Sequence, residues 1–227
     1  RDVDPTIQQD MRYAGSDNFT GGPVLGYDAP ECILVREAAE ALKSAQGDLK
    51  PMRYALKVYD CYRPAQAVSA FVDWSTQPDD PDAKRGHYPN LSKNNLFPKY
   101  IASRSGHSRG ATLDVTIVPI GSSPSPAEAD PVKPQPCTEG DPADNGLAMG
   151  TGFDCFDVKA NTVTKGLTPE EERNRQLLLE VMSRHGFQNY PKEIWHYTFE
   201  PEPFPDTYFD FPILPHPRRG AGPSDKT

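Results

Sequence analysis

The chain has 227 residues, 36% hydrophobic and 25% charged, enough for one core, and no apolar run reaches the ~20 residues a membrane span needs. Its 24 basic side chains face 32 acidic ones, a net charge of −8, so no basic excess exists to neutralise phosphates and nucleic acid is excluded as a partner. The apolar positions Leu34, Ala38, Ala41, Leu42, Ala45 and Leu49 fall at helical spacing and predict an amphipathic helix over 33–49. Residues 54–60 alternate Leu56 and Val58 against Lys57 and Tyr59, which predicts a strand. Pro64 then suits the start of a second helix carrying Val68, Phe71 and Val72. A polar, proline-containing connection runs from 77 to 99. Residues 111–118 put Leu113, Val115 and Ile117 on one face and Asp114 and Thr116 on the other, a second strand. The segment 119–150, with seven prolines and four glycines, reads as a long insertion or flap. Thr168-Pro169-Glu170-Glu171 is a capping box opening a helix with Leu177, Leu178, Val181 and Met182, which Gly186 ends. A last strand over 194–200 precedes an irregular proline- and aromatic-rich tail. This order predicts one compact α+β domain over 1–227, a small, mainly antiparallel sheet flanked by helices.

The chemistry concentrates in two short stretches. In Ser105-Gly106-His107-Ser108-Arg109-Gly110-Ala111-Thr112-Leu113-Asp114, a loop imidazole enters a strand whose carboxylate projects away from the Leu113–Val115 face. A histidine and an aspartate so placed are two of the three ligands of a catalytic zinc. The third is expected from Glu193-Ile194-Trp195-His196, where packing of Trp195 and Tyr197 would turn His196 to the site. On a straight strand Glu193 would face the other way, so the chain must bend there if both are to meet one metal. Three protein ligands leave a position for water, and a fourth, non-ligating carboxylate can move its proton. Arg63, where a strand turns into a helix, is the expected cationic partner of a developing oxyanion. Each of these residues alone reads more readily as a cap, a surface ion pair or a hydrogen-bonding group. Their joint occurrence is what points to a metal site.

The patterns SxHxxGxxxD, Ser105 to Asp114, and ExWH, Glu193 to His196, resemble those of the zinc D-alanyl-D-alanine dipeptidases of the VanX type. Further matches are Met11-Arg12-Tyr13-Ala14 with Asp17-Asn18-Phe19-Thr20-Gly21, the run Tyr59-Asp60-Cys61-Tyr62-Arg63-Pro64, Met149 to Asp154, and Tyr208-Phe209-Asp210-Phe211-Pro212. They lie in order from about residue 10 to residue 212. The resemblance implies one Zn2+ per chain on His107, Asp114 and His196, with Glu193 as general base and acid and Arg63 on the scissile carbonyl. It implies substrate contacts from Tyr13 and Ser105, a free amino group received by Asp154, and Asp60 beside the reactive centre. The implied substrate is the small dipeptide D-Ala-D-Ala, split into two D-alanines. A D,D-carboxypeptidase acting on peptidoglycan stem peptides and an inactive cell-wall-binding module are the alternatives. The 119–150 segment is longer and richer in proline than expected for compact members.

Four cysteines permit three pairings. Within this resemblance Cys137–Cys155 would tie the flap to Asp154, and Cys32–Cys61 would form a second bond; free buried cysteines are the alternative. The chain opens at Arg1 without initiator Met or apolar leader, which reads as a trimmed form. Together with the even cysteine count, this suggests a periplasmic or secreted protein, or a cytoplasmic one if the cysteines are free. His87, His185 and His216 are assigned no chemistry. The sequons at Asn18 and Asn90 read as chance.

Overall fold

A computed structural model describes residues 2–122, 135–141 and 144–216. A five-stranded sheet has the order β1-β2-β3-β5-β4, from β1 (Gln8–Gln9), β2 (Tyr54–Asp60), β3 (Thr112–Pro119), β4 (Phe187–Asn189) and β5 (His196–Phe199). The β1–β2 pair is parallel and every other pair is antiparallel, so the sheet is mixed. Among the described residues four α-helices surround it: α1 (Arg36–Leu49), α2 (Ala65–Ser75), α3 (Pro81–His87) and α4 (Pro169–Arg184). The fold is the expected α+β domain.

One face of the sheet carries Leu56, Val58, Leu113, Val115 and Ile117, which pack with Ala38, Leu42, Ala45 and Leu49 of α1 and Leu178, Val181 and Met182 of α4. These helix positions recur at three- and four-residue spacing, so each helix lays one apolar stripe on the strands. At the start of α4 the capping box forms as its residues dictate: Thr168 accepts from the Glu171 N–H and the Glu171 carboxylate accepts from the Thr168 N–H. Gly186, at φ +84°, follows the helix in the left-handed region.

The opposite sheet face is buried as well, which alternation alone did not show. Lys57 is 1% exposed, and its ammonium meets Asp144 Oδ1 at 2.5 Å and Asn145 Oδ1 at 2.8 Å. Tyr59 stacks on Phe153, with ring centroids 4.5 Å apart. The described end of the predicted flap, from 144 onward, is therefore a packed cover over β2. Residues 123–134 and 142–143 of that segment lie outside the described residues. The expected polar connection over 77–99 contains α3, whose first turn Asp80 caps by accepting from the N–H groups of Asp82 and Ala83. A second, aromatic cluster joins Tyr13, Phe19, Tyr27, Tyr62, Phe71, Trp74, Tyr88 and Phe156 beside α2.

The four cysteines pair as Cys32–Cys61 and Cys137–Cys155, with S–S separations of 1.99 and 2.06 Å. No helix among the described residues is long and apolar enough to cross a membrane.

Candidate active site

Strand register builds most of the site. Asp114 on β3 sits opposite His196 on β5 and opposite Asp60 on β2, so three polar residues form one row across adjacent strands. Without a bulge Asp60 would follow Val58 to the apolar face. The register shift between Val58 and Asp60 gives β2 one extra residue and turns Asp60 to the side of Asp114. Before β5 the chain bends as required: the His196 N–H donates to the Glu193 carbonyl at 3.2 Å, a tight turn that brings both side chains together. Glu193 Oε2 lies 3.4 Å from His196 Nδ1.

His107 arrives from a short 3-10 turn over Gly106–Arg109. The Ser105 hydroxyl oxygen caps it by accepting from the His107 N–H at 3.3 Å, and Gly110 ends it at φ +80°. His107 Nδ1 is 2.7 Å from the Cys61 carbonyl, which can only accept. The proton is therefore on Nδ1, and the lone pair of Nε2 points into the site.

Three ligand atoms converge there. Asp114 Oδ1 is 3.4 Å from His107 Nε2 and 3.2 Å from His196 Nδ1, and the two nitrogens are 3.3 Å apart. Asp114 Oδ1 is buried and makes no hydrogen bond, an orphaned oxygen of the kind a cation satisfies. Tetrahedral bonds of ~2.0–2.1 Å place ligand atoms about 3.3–3.4 Å apart, and the donor set of two imidazoles and a carboxylate suits zinc. The residues fit a divalent ion. Burial works against the charge of Asp114, yet the two imidazoles hold its carboxyl below the usual range.

Around this centre, Arg63 donates from Nε to Asp60 Oδ2 at 2.9 Å, and its Nη2 lies 3.7 Å from Asp114 Oδ2. The guanidinium is wedged 5.1 Å from the ring centroids of both Tyr13 and Phe71, which fixes its plane. Asp154 is buried and accepts from the Tyr13 hydroxyl at 2.7 Å. Burial, and then the charge of Asp114, push its carboxyl well above the ordinary range. Glu193 is pushed up to about 7, chiefly by burial. Tyr13, Arg63, Ser105, Asp114, Asp154, Glu193 and His196 all line one cavity of about 280 Å³, while Asp60 lies behind Arg63.

The sequence reading did not single out Tyr27 or give a role to His87. Tyr27 donates its hydroxyl to Asp60 Oδ1 at 2.7 Å and so holds the anchor of Arg63. His87, at the end of α3, reaches the Asp154 carbonyl through Nδ1 at 3.3 Å. Nothing local in the sequence marks either contact, since each joins segments tens of residues apart. His185 lies 3.0 Å from Asp48 at the end of α4, and His216 pairs with Asp2 at the surface. Asn18 is buried and donates to the carbonyls of Arg12, Gly15 and Gly22, a structural role that leaves its sequon inaccessible.

A family profile of the M15 peptidases, described as D-ala-D-ala dipeptidase, matches residues 1–122 and 138–214. The chain belongs to this dipeptidase family. A protein of Streptomyces coelicolor named D-alanyl-D-alanine dipeptidase is 40% identical over 208 residues, 91% of this chain and 93% of the relative. Proteins of the same name in Enterococcus faecalis and Escherichia coli are 37% and 27% identical, over 91% and 85% of this chain and 93% and 79% of the respective relatives. The family match leaves out residues 123–137, which lie within the 119–150 segment.

Proposed function

We propose that this protein hydrolyses D-alanyl-D-alanine to two D-alanines, with one zinc ion per chain held by His107, Asp114 and His196. The observation that carries the metal site is the cluster of three ligand atoms 3.2–3.4 Å apart around the unpartnered Asp114 Oδ1. A zinc ion bound there supplies a Lewis acid and lowers the pKa of water toward ~7.

The remaining chemistry falls to the chain's own side chains. Glu193 takes the proton from the attacking water as oxygen adds to the peptide carbonyl carbon, and delivers it to the leaving nitrogen as the C–N bond breaks. A carboxyl poised near 7 suits both transfers. Arg63 stabilises the negative charge that develops on the carbonyl oxygen. Its ion pair with Asp60 and its two aromatic neighbours hold it ready for this, without reorganisation during the reaction. Asp154, with Tyr13, receives the substrate ammonium, whose charge returns the buried carboxyl to its ionised form. Ser105 Oγ accepts from the His107 N–H and so keeps its own O–H free to donate to the substrate carboxylate. Fixed receptors for an ammonium and a carboxylate select a dipeptide over longer chains. The two disulfides support residence in an oxidising, extracytoplasmic compartment.

The test is zinc quantification on purified protein, combined with a panel of D,D-, L,D- and L,L-dipeptides and a stem pentapeptide. One zinc per chain and turnover confined to D-Ala-D-Ala are expected. Release of D-alanine from the pentapeptide at a comparable rate would overturn the dipeptidase reading, and a metal-free active enzyme would overturn the metal assignment.

A further inference from the structure

Asp154 is one of only two non-glycine residues with positive φ among the described residues, at +54°, a conformation that costs an L-residue energy and persists only when its surroundings impose it. Unlike His196 and Asp114, which sit in paired strands, Asp154 belongs to no strand or helix. What holds it comes from two other segments. On one side the His87 side chain donates from Nδ1 to the Asp154 carbonyl at 3.3 Å, and the His87 backbone carbonyl accepts from the Phe156 N–H at 2.7 Å. Burial pulls the His87 pKa down to about 4, so the imidazole is neutral near pH 7. On the other side Cys155 is bonded to Cys137, and the Gly152 N–H donates to the Cys137 carbonyl at 2.8 Å. Residues 152–156 are thus gripped between the end of α3 and the segment at Cys137.

We infer that His87 and the Cys137–Cys155 disulfide form a clamp that fixes Asp154 in its left-handed conformation and thereby sets the enzyme's selectivity for substrates with a free N-terminal amine. The inference rests on the role of Asp154 proposed above. The clamp acts on substrate binding more than on turnover for a structural reason. The disulfide also packs against Ile194 and Trp195, between Glu193 and His196. That segment, however, is independently pinned by pairing of β5 with β3 and β4, whereas Asp154 has no such support.

The test compares four variants of the full zinc-loaded chain, each checked for metal content and cooperative unfolding. In Cys137→Ser/Cys155→Ser, KM for D-Ala-D-Ala is expected to rise by about tenfold or more, the loss of one well-aligned charge-assisted hydrogen bond, with kcat changing far less. Preference for the free dipeptide over its N-acetylated form should fall in parallel. His87→Ala removes the side-chain contact of the other jaw without touching the cysteines, leaving its backbone bond to Phe156, and should raise KM as well. His87→Gln, which can still donate to the carbonyl, should restore part of it. If the serine pair does not fold, the His87 pair decides alone. Asp154→Asn separates the two ideas. If it leaves KM and amine preference unchanged, the assigned role of Asp154 fails. If it abolishes the preference while the clamp variants keep wild-type values, the clamp itself is wrong, as it also is if they lose kcat and KM alike.

Discussion

Glu193 is 8% exposed, and burial raises its pKa to about 7, so it exchanges protons near neutrality while its neighbours His107, Asp114 and His196 are committed to one another. Because it is not among the three converging ligand atoms, its removal should separate chemistry from metal binding. Glu193→Gln keeps the shape and removes the base; kcat should fall by about 10²–10⁴ with zinc content unchanged, read from steady-state kinetics on metal-quantified protein. A variant retaining most of its turnover would take Glu193 out of the proton transfers. That these four residues belong together was readable because each sits at fixed spacing from a glycine, an aromatic or another candidate ligand in a short stretch. Tyr27 and His87 were not, because their partners Asp60 and Asp154 lie 33 and 67 residues away and neither contact leaves a local pattern.

At the scale of elements, the turn from Ser105 to Gly110 and the strand that follows act as one unit that delivers His107 and Asp114 to the same point. Gly110 sits at φ +80°, and a Cβ there would meet Val35 Cγ1 at 3.3 Å. Gly110→Ala should therefore cost roughly 1–2 kcal/mol from the left-handed backbone, with more from the contact if Val35 cannot move. Because that strain enters directly behind His107, metal affinity should fall as well. Thermal unfolding with and without zinc measures both. An unchanged Tm would mean that the turn relaxes without cost. The long elements were readable for plain reasons: β2 spans Tyr54–Asp60, where the apolar alternation puts it, and α4 begins at its capping box. Strands of two and three residues, such as β1 and β4, are too short to show a period. The seven residues of α3 carry no apolar stripe, although Asp80 before Pro81, with basic residues in the last turn, is a start-and-stop signal in its own right. The bulge in β2, which aims Asp60, left no mark in the hydrophobic pattern.

Across the whole molecule, Asp144 joins three separate parts of the chain. Its carboxylate accepts from Lys57 at 2.5 Å, from the Tyr59 hydroxyl at 2.6 Å and from Arg12 Nη2 at 3.0 Å, tying the N-terminal segment, β2 and the covering segment together. The alternation sets Lys57 opposite Leu56 and Val58 but does not reveal its burial, since its ammonium is buried only because a distant residue supplies the counter-charge. Removing one partner of such a buried pair leaves the other uncompensated, so Asp144→Asn should destabilise by about 3 kcal/mol. The pH dependence then shows whether charge is the cause. Burial works to raise the Asp144 pKa, but Lys57, Tyr59 and Arg12 outweigh it and hold the folded value below that of the unfolded chain. The folded state therefore binds fewer protons than the unfolded one as pH drops through the carboxylate range. The stabilisation is full above about pH 5 and is lost on acidification. Tm measured from about pH 7 down to about pH 3 should fall more steeply for the native protein than for Asp144→Asn, so that the two curves converge in acid. A gap of constant width across that range would assign the loss to packing and not to the ion pairs.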